Sequence, residues 1–245
     1  MDRPEYLDRG GVRLAMRRRD GRGPTLVFLP GYASDMEGAK ASALDSWAEA
    51  QGRAILRFDY AGCGLSEGAF EAQTLAGWRD DALAMIDGID GPVVLVGSSM
   101  GGWLMLLAAL ARPERVAGLV GIAAAPDFTD WGFTSGQKET ILHAGRLEEP
   151  SPYGEAPYVT TRAFWESGEA LKLLGDEVAI GCPVRLLHGL DDPDVPWQLS
   201  LRLMERLRSS DVRTTLVKGG DHRLSHPADL AALLAAVADL LDKDT

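Results

Sequence analysis

The chain has 245 residues, 46% of them hydrophobic, and a formal net charge of -11. That length buries a substantial core, and the acidic balance argues against nucleic acid or an anionic bilayer as a main partner. The two cysteines, Cys63 and Cys182, make neither a disulfide framework nor a zinc-binding spacing.

The opening stretch MDRPEYLDRG is charged, carries acidic residues early and holds no apolar h-region. It reads as neither a secretory signal nor a transit peptide. No apolar run approaches the roughly 20 residues that span a bilayer. The expectation is a cytoplasmic protein with no stable membrane insertion.

VRLAMRR (12–18) alternates apolar and charged residues and is expected to be an early edge strand. Five continuous apolar runs then suit strands buried on both faces: TLVFL (25–29), AILRF (54–58), VVLV (93–96), VAGLVGIA (116–123) and VRLLH (184–188). VRTTLV (212–217) is placed with them. Between the runs, apolar residues recur at helical spacing, as at Leu75, Trp78, Ala82, Met85, Ile86 and Ile89, and again over 228–241. Alternating strands and helices imply an α/β protein with a mostly parallel sheet flanked by helices.

From about Asp127 to Gly181 no strand pattern is evident. The segment is too long for a plain loop and holds Trp131, Phe133, Tyr153, Tyr158, Phe164 and Trp165. It is expected to be an inserted cap, 127–181, on a core formed by 1–126 and 182–245. Its aromatic residues either pack the cap or line a substrate pocket.

After VVLV comes Gly97-Ser98-Ser99-Met100-Gly101, which fits G-x-S-x-G with Ser99 central, and GGWLMLLAAL (101–110) then reads as a helix. A turn this tight between strand and helix demands small residues two places either side of the nucleophile. Ser98 lacks a glycine two residues after it. A serine hydroxyl needs a base. The histidines are His143, His188, His222 and His226. The chain order that accompanies this motif is serine, acid, histidine. His222, after the last strand, therefore leads. His226 is its rival, and His188, at a strand end, is expected to be structural.

The acid belongs in HGLDDPDVP (188–196), where Asp191, Asp192 and Asp194 are all candidates that spacing does not separate. An oxyanion needs backbone donors. The Met100 N–H, just after the nucleophile, and the Tyr32 N–H in LPGYAS (29–34) are the expected pair. In FDYAGCGLS (58–66), Asp59 is expected to be structural and Cys63 a small packing residue.

Together these residues resemble the serine α/β-hydrolase superfamily over nearly all of the chain outside 127–181. Within it the chain is most similar to a group of acyl-protein thioesterases and acyl-glucuronide esterases with mitochondrial and bacterial members. The resemblance rests on LPGYASDMEGAKA, RFDYAGCGLSEG, LVGSSMGGWLML, RPERV, CPVRLLHGLDDPDVPW and DHR. It implies that the acid is Asp192, that the histidine is His222 and that Tyr32 and Met100 are the oxyanion donors. It implies hydrolysis of small-molecule esters or thioesters, and of S-acylated protein, with no cofactor and no metal. The competing expectations are a short-chain carboxylesterase, an acyltransferase and a ligand-binding module without turnover.

Overall fold

A computed structural model describes residues 3–150 and 157–241. Its strands are β1 (Glu5–Arg9), β2 (Val12–Arg19), β3 (Arg22–Leu29), β4 (Arg53–Phe58), β5 (Val93–Ser98), β6 (Val116–Ile122), β7 (Arg146–Glu149), β8 (Tyr158–Thr161), β9 (Val184–Gly189) and β10 (Val212–Val217). Its α-helices are α1 (Ala39–Gln51), α2 (Leu75–Asp87), α3 (Met100–Ala111), α4 (Phe128–Trp131), α5 (Ser135–Ala144), α6 (Arg162–Glu169), α7 (Gln198–Arg206) and α8 (Pro227–Leu241).

Eight strands form one sheet in the order β1-β2-β4-β3-β5-β6-β9-β10. Only β2 runs against its neighbours; the contacts from β4 through β10 are all parallel. The alternation of side chains along β3 explains the two layers of core. Val27 and Leu29 face a cluster with Trp78 and Met85 of α2 and Trp103 and Leu104 of α3. Leu26 and Phe28 face the opposite cluster, with Leu44 and Ala48 of α1 and Leu233 and Val237 of α8. Helices thus cover both faces of the sheet, which is why the central strands read as continuous apolar runs.

Two edge expectations change. VRLAMRR is not the edge: β1 pairs outside it, from Glu5 opposite Met16 to Arg9 opposite Val12. The edge strand EYLDR is short and charged, which blunts an open edge and hides it from a search for apolar runs. VRTTLV is a strand, but it closes the other edge, and its residues alternate in exposure rather than being buried throughout.

Neighbouring β3 are β4, the next strand in sequence, and β5, which follows on the other side. This reversal opens a crevice at the carboxyl ends of β3 and β5, where α/β sheets bind ligands. Between β6 and β9 the chain leaves the sheet to form α4, α5, the antiparallel pair β7–β8 and α6. A strand pair in this segment was not expected. Its sequences, RLEE and YVTT, are four residues each and carry no apolar run. Tyr153 lies outside the described residues.

Candidate active site

The turn from β5 to α3 puts Ser99 at φ 54° and ψ -120°, a left-handed conformation that a serine adopts only under constraint. Three backbone hydrogen bonds supply the constraint. The Ser99 N–H donates to Ile122 O at 2.9 Å, and Ser99 O accepts from Gly102 N at 2.9 Å and Ala125 N at 3.1 Å. Both flanking glycines are required by close approach. A Cβ on Gly97 would lie 2.4 Å from Gly101 O, and one on Gly101 would lie 2.1 Å from Leu29 O. Ser98 ends the strand as a buried residue.

His222 arrives from the turn after β10, where the Leu224 N–H donates to Asp221 Oδ1 at 2.9 Å. Its Nε2 is 3.1 Å from Ser99 Oγ and its Nδ1 is 2.9 Å from Asp192 Oδ2. Three side chains separated by up to 123 positions in sequence thereby form one hydrogen-bonded line. His143 and His226 are exposed and stand outside it.

The turn after β9 separates the three candidate acids. Asp191 and Asp194 are exposed, whereas the Asp192 side chain is fully buried. Asp192 Oδ1 accepts from the N–H groups of Asp194 and Val195, both at 2.9 Å. Its Oδ2 faces His222 and also His188 Nε2, at 3.2 Å. Burial, the largest single influence, works to raise the carboxyl pKa. The donors from His188, His222 and the Val195 N–H outweigh it and hold Asp192 ionised well below the usual carboxylate range. His188 was expected to be structural. It is fully buried, but it touches the acid directly. The signal in the sequence was the His-x-x-x-Asp spacing from His188 to Asp192 across a strand-ending turn.

Met100 is the first residue of α3, so its N–H has no intrahelical carbonyl to meet. The loop bearing Tyr32 packs on the elbow, since a Cβ on Gly31 would lie 3.3 Å from Ser98 O and 3.4 Å from Ser99 Cβ. Buried Asp59 secures the far end of that loop by accepting from the Met36 N–H at 2.7 Å, in keeping with the structural role expected of it. The Tyr32 hydroxyl donates to Val159 O of β8 at 2.5 Å, and its ring meets Phe70, Trp78, Phe128, Tyr158 and Phe164 at centroid distances of 5.2–6.3 Å.

Ser99, Met100, Tyr32 and His222 open into a cavity of roughly 390 Å³. One wall comes from the 123–183 excursion and is aromatic: Phe128, Trp131, Phe133 and Tyr158. The other comes from loops of the sheet and the start of α1 and carries the polar groups Ser34, Asp35, Lys40, Arg223 and Ser225. Two further aromatics of the excursion pack. Phe164 is buried in the core, and Trp165 Nε1 donates to Thr129 O at 2.9 Å. Cys63 is buried and its thiol is pushed up to about 12 by desolvation, which fits a packing residue rather than a nucleophile.

Asp192, Asp194 and His222 bring possible metal-ligand atoms within 4.8 Å of one another. Both Asp192 oxygens and His222 Nδ1 are committed to hydrogen bonds, so this set fits a hydrogen-bond relay better than a cation site. Among the described residues, no helix is long and apolar enough to cross a membrane.

Residues 26–233 match the alpha/beta hydrolase family. The chain is 42% identical to human mitochondrial palmitoyl-protein thioesterase ABHD10 over 235 residues, which is 94% of this chain and 77% of the human protein. Among solved structures it is similar to alpha/beta hydrolase domain-containing protein 10 from mouse, with a TM-score of 0.93 and 40% identity over 100% of both chains. It is also similar to a hydrolase from Agrobacterium vitis S4, with a TM-score of 0.90 and 38% identity over 97% of each chain. These findings overturn the cytoplasmic expectation, because curated relatives at 42–43% identity are named as mitochondrial. That expectation rested on the charged opening stretch and on the lack of a long apolar run, and neither is a guide to compartment here. The match along 26–233 and the likeness to these proteins agree with the fold and the geometry: the chain belongs to the α/β hydrolase family and is a hydrolase of the esterase and thioesterase kind.

Proposed function

We propose that this enzyme cleaves acyl thioesters, with Ser99 as nucleophile, His222 as general base and acid, and Asp192 as the group that orients and charge-balances His222. The observation that carries the reading is the continuous line from Ser99 Oγ through both His222 nitrogens to Asp192 Oδ2, at 3.1 and 2.9 Å. Its acid is already ionised and its serine is held at the elbow.

His222 Nε2 takes the Ser99 proton as Oγ attacks the acyl carbon. The carbonyl oxygen gains the negative charge and rests on the N–H groups of Tyr32 and Met100. The imidazolium, balanced by Asp192, passes its proton to the leaving sulfur or oxygen as the tetrahedral intermediate collapses to an acyl-serine. Water then enters, loses a proton to His222 and releases the acid, restoring Ser99.

The leaving atom must lie within reach of His222 Nε2, so the leaving group faces the polar wall of Lys40, Arg223 and Ser225. The acyl tail then runs along Phe128, Trp131, Phe133 and Tyr158, with residues 127–181 acting as a cap on a core of 1–126 and 182–245. S-acylated proteins, the substrates for which the human relative is named, and small acyl thioesters both suit this division.

Labelling with a fluorophosphonate probe tests the nucleophile: the label is expected on Ser99 and is expected to vanish in Ser99→Ala. The second test compares kcat/KM for an octanoyl thioester and an acetyl ester. An advantage of tenfold or more for the thioester, about 1.4 kcal/mol of transition-state binding, supports the acyl-tail wall. Preference for the acetyl ester would replace it with a short-chain esterase.

A further inference from the structure

We propose that His188 is a positioning residue of the hydrolytic machinery: it holds Asp192 at the same carboxylate oxygen that His222 meets and limits how strongly Asp192 draws charge from that histidine. The inference rests on the reading of Ser99, His222 and Asp192 given above.

His188 lies on β9 and is fully buried. Its Nε2 faces two groups that can only accept, Val195 O at 3.0 Å and Asp192 Oδ2 at 3.2 Å. Nε2 therefore carries a hydrogen and donates it to Val195 O, with the same edge of the ring lying against Asp192 Oδ2. Its Nδ1 is 2.7 Å from Ser200 Oγ of α7, and Ser200 is itself buried. A hydroxyl donates or accepts as the ring requires, so Ser200 locks the ring plane.

Asp192 thus meets three hydrogen-bond partners, two backbone N–H groups on Oδ1 and His222 Nδ1 on Oδ2, and the polar edge of His188 lies 3.2 Å from that same Oδ2. Two of these, the N–H groups of Asp194 and Val195, belong to its own turn. His188 adds a side-chain tie from that turn to β9 and α7, beside the backbone bonds from Leu190 N–H to Val217 O and Asp191 N–H to Gly220 O. Sharing Oδ2 between two imidazoles has an electrostatic consequence. Each donor withdraws charge from the carboxylate, so His188 weakens the pull on the His222 proton. Removing His188 leaves a more basic carboxylate against His222, which favours the imidazolium over the neutral ring. The other charged groups around the line are Asp194 in the same turn, Arg223 beside His222, and Lys40, which donates to Arg223 O. All three remain in place when His188 is changed.

The test is the pH profile of kcat/KM for an octanoyl thioester in His188→Leu, His188→Gln and Ser200→Ala. His188→Leu is expected to lose about tenfold in kcat with little change in KM, and its acid limb is expected to move to higher pH. His188→Gln keeps an N–H donor at the same reach and is expected to return the limb towards the parent. Ser200→Ala, which frees the ring without removing it, is expected to give a smaller shift in the same direction. A His188→Leu profile that superimposes on the parent after correction for folded fraction overturns the proposal, even if the melting temperature falls. Should His188→Leu not fold, an unshifted acid limb in Ser200→Ala overturns it instead. Retained turnover in Ser99→Ala would remove the reading on which this proposal rests, whereas an unshifted His188→Leu profile with Ser99→Ala inactive would overturn this proposal alone, so the two failures are distinguishable.

Discussion

The two walls of the cavity are built by different kinds of chain. The sheet-side wall comes from turns at the ends of β3, β5, β9 and β10, each short and each pinned by backbone hydrogen bonds. The opposite wall comes from the 123–183 excursion, whose small helices and strand pair hold together through the β7–β8 ladder, packed rings and side-chain bonds such as Trp131 Nε1 to Pro126 O at 2.8 Å. The proposed reacting groups lie on the sheet-side wall, and most of the cavity's aromatic rings lie on the other. Chemistry needs sub-ångström geometry, which a strand-ending turn provides, whereas an acyl tail needs only apolar surface of adequate shape.

Asp192→Asn gives the largest test of this division. It keeps the shape of the turn but presents an amide to His222 Nδ1, so that His222 is held in the wrong tautomer. Loss of kcat of about 10⁴ is expected, by the same factor for acetyl and octanoyl substrates. A loss confined to one acyl length would break the separation between the walls. Measuring kcat for both substrates in the variant decides it.

Trp131→Ala and Phe133→Ala act from the other side. Each removes apolar surface from the excursion wall and leaves Ser99, His222 and Asp192 untouched. The octanoyl substrate is expected to lose about tenfold in kcat/KM in one or both variants, within the range for removing buried apolar area, while the acetyl ester changes little. Equal losses for both substrates would mean that these rings support the elbow rather than the tail.

This division also explains what the sequence disclosed. Gly97 and Gly101 could be read as obligatory because only a strand-to-helix turn brings backbone so close at both positions. His222 followed from chain order. Asp192 did not follow from spacing, since Asp191 and Asp194 share its turn and differ from it in burial and in donors gathered through space. The role of His188 was hidden for the same reason: its partner Ser200 comes from a helix 12 positions away. On the excursion side, β7 and β8 pair through polar four-residue strands with no periodic signal. Which rings line the cavity and which pack depends on how the excursion folds back, as the contrast between Phe133 and Phe164 illustrates.

The smallest expected effect concerns charge on the rigid wall. Lys40, near the start of α1, is half-buried and donates to Arg223 O at 2.5 Å. Desolvation, assisted by the neighbouring Arg223 charge, lowers its pKa to about 8, with Asp221 and Asp229 opposing. The free chain holds that proton up to about 10.4. Between pH 8 and 10 the unfolded state therefore binds more protons than the folded state, and stability rises with pH across that window. Below pH 8 both states are protonated and the cost of burying the charge is fully present. Chemical denaturation of the parent at pH 7 and pH 9.5 is expected to show a rise of about 1–2 kcal/mol attributable to this group. In Lys40→Met the rise is expected to shrink by that amount. An unchanged rise in the variant would assign it elsewhere. It would also mean that the Lys40 ammonium is solvated well enough for the polar wall to behave as open surface, in which case the leaving group meets water there rather than protein.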